Sequence, residues 1–176
     1  MSAPQPAHPT LSPEAAVGMR NSALQGLKNE MELTKKVIAA IPEDKRDYRP
    51  DPKARTAWEL AWHLACADVQ MTDEVADQKF LMEPRFKDEP KSVAALVQWY
   101  DSNFKRAINR VHAMTPEQLC TPVDFYGAFN FPVVMYLGFV NNHSVHHRGQ
   151  LSVYLRPMGS KVPQIYGGSA DEPWQG

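Results

Sequence analysis

The chain has 176 residues and a formal net charge of −1, from 19 basic and 20 acidic side chains. This balance provides no basic surface for nucleic acid or for an anionic membrane, so we expect neither as a partner. Hydrophobic residues make up 43% of the chain, which at this length is enough to bury one core without disulfides. The most apolar stretch, residues 131–140, is too short to span a bilayer.

The N-terminal segment is rich in proline and polar side chains, which predicts a disordered arm over residues 1–12 and a single domain over residues 13–176. It lacks a basic region followed by an apolar core, so we expect no secretory signal and a cytoplasmic protein. The two cysteines, Cys66 and Cys120, are then expected to be reduced, and a disulfide between them is the less favoured alternative.

The first two helices are marked by their starting residues and by apolar side chains with a helical period. The run Ser12-Pro13-Glu14 supplies a cap, a proline and an acid in the first turn, and this helix ends before Pro42. The second helix is capped by Thr56, where Glu59 completes a capping box, and its apolar face runs towards Phe80.

Two further helices follow. Ser92 caps a third helix over about residues 93–114, and residues 115–131 form a long connection. The fourth helix begins at Pro132 and runs to about Arg156, after which a C-terminal stretch is expected to lie as an ordered loop on the bundle. Alternating strand patterns are nearly absent, so we predict an all-α four-helix bundle.

The three histidines at positions 63, 143 and 147 are the most informative residues. His143 and His147 are four apart in the fourth helix, so they share one face, and His63 lies in the second helix. Apolar neighbours predict that all three face the interior. Buried imidazoles need a partner for each ring nitrogen, and one metal ion would serve all three. Three protein ligands leave one position open, as at a catalytic zinc rather than a structural one.

The same residues have other interpretations. Each histidine can be a core residue that is hydrogen-bonded to the backbone or to a carboxylate. His146 competes with His147 for the ligand position, but it lies on a neighbouring arc of the helix. Cys66, close to His63 in the second helix, is a possible extra ligand, although such a cysteine is more often a small core residue.

Three segments carry recognisable motifs: Trp58-Glu-Leu-Ala-Trp-His63-Leu-Ala, Asn142-His143-Ser-Val-His-His147-Arg-Gly-Gln150 and Val162-Pro-Gln-Ile-Tyr166-Gly-Gly-Ser-Ala-Asp-Glu172. Together they resemble the DinB/YfiT-like family of metal-binding four-helix bundles, and the His-x-x-x-His-Arg-Gly-Gln pattern is the most specific part. The resemblance maps the family's first metal ligand onto His63 and its paired ligands onto His143 and His147.

This resemblance implies helices in an up-down-down-up arrangement, with a long crossover between the second and third helices, and commonly a homodimer. It also implies a divalent metal ion that varies across the family. Zinc is the first candidate here, with nickel, iron or manganese as alternatives, because three imidazoles and a water suit all of these ions.

The resemblance further implies a metal-dependent transferase or hydrolase, since relatives include S-transferases and isomerases that use bacillithiol, mycothiol or glutathione. The resulting hypothesis is a metalloenzyme that acts on a small-molecule substrate, with a thiol as cosubstrate. The alternative is a non-catalytic, stress-related protein that binds a metal or a ligand, and a bundle with no metal is the third reading. Glu59, Tyr126 and Tyr166 are the candidate proton-transfer groups.

A second stripe of the fourth helix leans apolar. It contains Phe139, His146 and Val153. A helix that is apolar over more than one face has to bury both faces, so we predict a homodimer that uses part of this stripe.

Overall fold

A computed structural model describes residues 11–174, and within them four long helices form a bundle. The long helices are α1 (Pro13–Ala39), α2 (Ala57–Asp77), α3 (Val93–His112) and α5 (Tyr136–Leu155). The minor elements are a short helix α4 (Pro116–Cys120), an antiparallel hairpin of β1 (Pro122–Phe125) and β2 (Phe129–Pro132), and single 3-10 turns at Glu43–Lys45 and Val133–Met135. The all-α four-helix bundle predicted from the sequence is confirmed.

The predicted starts of α1, α2 and α3 are also confirmed, because the capping residues act locally. The Ser12 side chain accepts from the Ala15 amide at 3.2 Å. At α2, the Thr56 hydroxyl accepts from the Glu59 amide at 3.1 Å, while the Glu59 carboxylate accepts from the Thr56 amide at 2.7 Å. The backbone amides of Thr56 and Glu59, which have no partner within the helix, are thereby satisfied.

Contacts between helix ends give the direction of α1, α3 and α5. The Ser160 hydroxyl, just after α5, donates to the Ala40 carbonyl at the end of α1 at 2.6 Å, so α1 and α5 run in the same direction. Near the other end of α1, the Arg20 guanidinium donates to the His112 carbonyl at the end of α3 at 3.1 Å. Helix α3 is therefore antiparallel to α1.

The ends of α2 and α3 are held together by an ion-pair cluster, which gives the direction of α2. Asp73, late in α2, accepts from Arg106 and Arg110, which are both late in α3, at 2.9 and 2.7 Å. Helices α2 and α3 therefore run in parallel, and the arrangement is up-down-down-up. Residues 78–92 form the long crossover that returns the chain from the end of α2 to the start of α3.

The way the four long helices pack determines where the three histidines lie. Helix α2 packs on α3 and α5, and α1 packs on the same two helices, so α1 and α2 lie diagonally across the bundle. The face shared by α2 and α5 is the one that carries the three histidines. The innermost positions of the bundle are filled by fully buried apolar side chains such as Leu27, Leu64, Leu96, Phe104, Leu137 and Leu151.

The long connection expected over residues 115–131 is structured, and it holds two short strands that the sequence patterns did not predict. It contains α4 and the β1–β2 hairpin, with Val123 paired to Phe131. Tyr126 and Gly127 both have positive φ, at 54° and 73°, and the Asp124 carboxylate accepts from the Gly127 amide at 3.0 Å. Turns with two positive φ angles usually contain Asn-Gly. The sequence has Tyr-Gly at this position, so the hairpin was not predicted.

Element boundaries differ slightly from those predicted. Helix α3 ends at His112, and α5 begins at Tyr136 because the 3-10 turn Val133–Met135 precedes it. Of the N-terminal arm predicted over residues 1–12, residues 1–10 lie outside the described residues. Leu11 packs against the core, and Ser12 caps α1. None of the described helices is long and apolar enough to cross a membrane.

Candidate metal centre

The structure brings the imidazoles of His63, His143 and His147 together between α2 and α5. The Nε2 atom of His63 lies 3.3 Å from Nε2 of His143 and 3.3 Å from Nε2 of His147. Within the described residues these three form a group whose donor atoms all lie within 4.8 Å of one another. The group can therefore hold a metal ion.

Helix geometry explains why α5 supplies two members of this group. His143 and His147 are one turn apart, and their ring centroids are separated by 4.4 Å. His146 is exposed, and although its ring centroid lies 4.8 Å from that of His147, it is His147 that belongs to the group. All three cluster histidines are half-buried rather than deep in the core, because the innermost stripe of α5 carries Ser144 and Arg148.

The Nδ1 atom of His143 is held by a buried acid. It lies 3.3 Å from a carboxylate oxygen of Asp68, which is fully buried on α2. The other oxygen of Asp68 accepts from the Tyr100 hydroxyl at 2.8 Å. When the carboxyl of Asp68 is ionised it can only accept, so the Nδ1–H of His143 then donates and its Nε2 lone pair faces the cluster. This is the carboxylate–histidine pairing that commonly orients a metal ligand.

The Nδ1 atom of His147 is held in a similar way. It donates to the side-chain carbonyl of Gln150 at 2.8 Å, which leaves its Nε2 lone pair directed at the cluster. Two lone pairs thus converge on Nε2 of His63 in a half-buried space. That donor set suits a cation, and three imidazoles fit a divalent metal with one position left for a further ligand.

The pKa values of His63 and His147 also favour metal binding. Burial, followed by the charge of Arg55 and by the two neighbouring histidines, lowers the pKa of His63 to about 4. Burial also lowers the pKa of His147, although the hydrogen bond to Gln150 acts in the opposite direction. Both rings are therefore neutral near pH 7 and need not lose a proton to bind a metal.

Asp68 is the residue that the sequence reasoning missed. Burial raises the pKa of its carboxyl, while hydrogen bonds from His143, Tyr100 and Ser144 oppose that rise. A signal was present, because Asp68 is an acid on the apolar face of α2, next to the buried Val69. A buried acid needs partners, and its partners here lie on other helices.

A chain of buried polar groups continues from Asp68 across the bundle. The hydroxyl of Ser144 lies 3.4 Å from that of Thr34 on α1, which in turn accepts from Arg148 at 3.4 Å. Arg148 is only 1% exposed and pairs with Glu30 at 2.5 Å. The Tyr166 hydroxyl, from the C-terminal segment, donates to Glu30 at 2.7 Å. The arginine of the His-Arg-Gly-Gln motif thus anchors the C-terminal segment to α1.

The other candidates from the sequence have different partners. Glu59 caps α2, the Tyr126 hydroxyl donates to the Leu81 carbonyl at 3.0 Å, and Tyr166 bonds to Glu30. Cys66 is a free thiol outside the histidine group, and burial raises its pKa to about 12. A thiol with that pKa stays protonated, which makes it a poor metal ligand.

A cleft of about 630 Å³ opens beside His147. It lies between the start of α2 and the second half of α5. Its walls include Lys53, Arg55, Leu60, His147, Gln150 and Tyr154. A small molecule in this cleft would lie next to one face of the histidine cluster.

Comparison with known proteins agrees with this architecture. The chain is 27% identical to the uncharacterised protein YrdA of Bacillus subtilis over 156 residues, which covers 86% of this chain and 89% of that protein. It is 22% identical to YjoA of the same organism, also uncharacterised, over 83% of this chain and 95% of YjoA.

Solved structures show the same fold. A DinB-like protein from Bacillus cereus superposes with a TM-score of 0.71 at 26% identity, over 83% of this chain and 97% of that one. The crystal structure of YjoA superposes with a TM-score of 0.69 at 20% identity, over 82% of this chain and 98% of YjoA. The sequence model of the DinB superfamily matches residues 27–151, a stretch that contains all three cluster histidines. The chain therefore belongs to the DinB superfamily.

Proposed function

We propose that the protein binds a divalent metal ion through Nε2 of His63, His143 and His147 and acts as a metal-dependent enzyme, of the type that transfers a low-molecular-weight thiol. The observation that carries the proposal is the convergence of three Nε2 atoms, two of them from rings whose Nδ1 atoms are already occupied. Zinc is the first candidate, and nickel, iron and manganese suit the same ligands.

Each part of the site has a role in this proposal. A bound divalent ion would lower the pKa of a thiol or water at its open position. Asp68 and Gln150 hold the rings of His143 and His147 in one tautomer and one orientation. The cleft beside His147 provides a route for a small molecule to reach the cluster.

One observation favours a second candidate, a protein that binds a metal or ligand without turnover. The three proton-transfer groups considered from the sequence, Glu59, Tyr126 and Tyr166, are all bonded to partners other than the cluster histidines. An enzyme of the proposed type would then rely on the cosubstrate thiol and solvent for its proton movements.

Metal content tests the binding. The protein is produced without a histidine tag, and bound metals are counted by mass spectrometry. We expect about one divalent ion per chain in the wild type and almost none in His143→Ala. The matched control is His146→Ala, since this exposed neighbour is not in the cluster. Equal metal content in both variants would mean that the metal is bound elsewhere.

Turnover separates the two candidates. Metal-loaded protein is mixed with bacillithiol, mycothiol or glutathione and a chlorinated aromatic electrophile. In the transfer, the thiol sulfur forms a bond to carbon, chloride leaves, and the thiol proton passes to solvent. We expect metal-dependent loss of free thiol with at least one of the three, and loss of that rate in His143→Ala. Metal binding without any turnover would favour the non-catalytic alternative.

A further inference from the structure

The cleft beside His147 has a charge pattern that the metal proposal does not use. Lys53 and Arg55 lie just before α2, and both line this cleft together with Gln150 and Tyr154 of α5. His147, a member of the histidine cluster, lines the same cleft as Arg55. A cationic wall therefore stands next to the candidate metal centre.

These two cations have no salt bridge within residues 11–174. Glu59 interacts with the charge of Arg55, but its carboxylate also accepts from the Thr56 amide at 2.7 Å and pairs with Arg49 at 3.9 Å. Most other exposed basic groups nearby are paired, as Arg46 is with Glu43 at 3.2 Å. Positive charge that lines a cleft and is not paired in a salt bridge attracts anions and raises their local concentration.

We propose that this cleft binds the anionic group, a carboxylate or a phosphate, of a small-molecule substrate, with Arg55 and Lys53 as the residues that hold it. The anion would lie at the α2 wall, Gln150 and Tyr154 would border the polar part of the molecule, and Leu60 would contact its apolar part. The guanidinium of Arg55 suits such a group because its planar fork can donate two parallel hydrogen bonds. This inference rests on the proposed function, because it assigns the substrate class of that same site.

Three probes test the binding: succinate, inorganic phosphate and the neutral analogue succinamide. Each is titrated into the isotope-labelled full chain, and backbone amide shifts are followed by NMR. We expect succinate or phosphate to shift the amides of Ala54 and Gln150 and succinamide to leave them unchanged. Whichever of the two anions binds more tightly identifies the group. The shifts should weaken in high salt, because the interaction is between exposed charges.

Two double variants are compared, and each of them removes two positive charges. In Lys53→Gln/Arg55→Gln, we expect the dissociation constant of the anion to rise about fivefold or more, which corresponds to the loss of two exposed ion pairs. The control is Lys36→Gln/Lys161→Gln, which removes two basic groups from a separate cleft at the C-terminal ends of α1 and α5. We expect this control to bind the anion like the wild type.

The proposal is overturned if succinamide binds as well as succinate, if neither anion shifts the cleft amides, or if both double variants lose affinity equally. Running the titration on metal-free and metal-loaded protein distinguishes the two proposals. Anion binding that depends on Arg55, in a protein whose histidines take up no metal, would contradict the proposed function and not the anion site. Metal binding at the histidines with no anion effect would contradict the anion site alone.

Discussion

Asp68 joins the candidate metal centre to the interior of the bundle, because one of its oxygens faces His143 and the other accepts from Tyr100. Its carboxylate controls which nitrogen of His143 carries the proton. If that nitrogen changed, the Nε2 lone pair would no longer face the cluster. The geometry of a ligand ring therefore depends on a residue that does not itself reach the metal position.

We expect Asp68→Asn to weaken metal binding about 10- to 100-fold, as is common when the partner of a ligand histidine is lost. The amide keeps the shape of the side chain but has no charge and only one acceptor. The measurement is a competitive titration against a chelator, with circular dichroism to check folding. Asp88→Asn, at an exposed acid in the crossover, is the control and should bind like the wild type. Unchanged affinity in Asp68→Asn would show that the 3.3 Å contact does not orient His143.

The lowered pKa of His63 predicts a pH dependence of stability in the metal-free protein. Its pKa is about 4 in the folded chain, against about 6.5 in an unfolded one. Between these values the unfolded chain binds a proton that the folded chain does not. The free energy of unfolding should therefore be highest above about pH 6.5 and should fall as the pH drops towards 4. Urea unfolding at several pH values measures this.

The variant His63→Gln has no titrating ring at this position and should show a shallower fall over the same range. His147 still titrates in both proteins, so a residual slope is expected in the variant. If the two proteins lose stability in parallel, the environment of His63 does not disfavour its charged form.

The residues that sequence reasoning could find are those whose partners are close in the chain. Thr56 and Glu59 are three apart, and His143 and His147 are four apart, so helical spacing alone predicts each pair. Asp68 could not be paired in this way, because it lies 75 positions from His143. Contacts at that distance depend on how α2 and α5 pack, which local patterns do not encode.

The helices could be predicted from their capping residues and from the period of their apolar side chains. Which side of each helix lies deepest in the bundle could not. The sequence suggested that the histidine stripe of α5 faces the core, yet Ser144 and Arg148 occupy the innermost positions and the histidines lie at the margin. An arginine is seldom assigned to a core without a visible acidic partner. Here the partner is Glu30 on α1, which is 118 positions away from Arg148 and could not be inferred from spacing.

Arg148 therefore supplies a test of the buried polar chain. We expect Arg148→Met to lower the free energy of unfolding by about 3 kcal/mol, because Glu30 would be left largely buried without its cation. Arg156→Met, near the end of the same helix, removes an exposed partner of Asp171 and should cost about 1 kcal/mol or less. Urea unfolding compares them. Equal losses would show that burial of Arg148 does not strengthen its pairing.

At the scale of the whole molecule, the stripe of α5 that was predicted to form a dimer is only partly available. Val153 and His146 are exposed, whereas Phe139 is half-buried against Phe125, Phe129 and Tyr136 of the same chain. Val153 is 72% exposed, and it also lines the cleft beside His147. Association through this stripe would bring a second chain close to the mouth of the cleft. The homodimer predicted from the sequence would then also affect access to the candidate metal centre.

We expect sedimentation equilibrium at tens of micromolar to give about twice the monomer mass of 19.8 kDa. Val153→Arg should shift the protein towards the monomer, because it places a charge in the surface that would be buried. Met82→Arg is the control, since Met82 is an apolar side chain that is 82% exposed on another part of the molecule. A monomer in the wild type would contradict the prediction, and dissociation by both variants would place the interface elsewhere.

The positions of the three ligands along the chain have a kinetic consequence. His63 is separated by 80 positions from His143 and by 84 from His147, so a complete ligand set exists only after α2 and α5 have docked. Metal capture should therefore follow the rate-limiting step of folding rather than precede it. In stopped-flow experiments, a metal concentration of 100 times its dissociation constant should leave the refolding rate nearly unchanged and slow unfolding about a hundredfold. The metal would bind after the chain has folded, so it would lengthen the lifetime of the native state without speeding its formation.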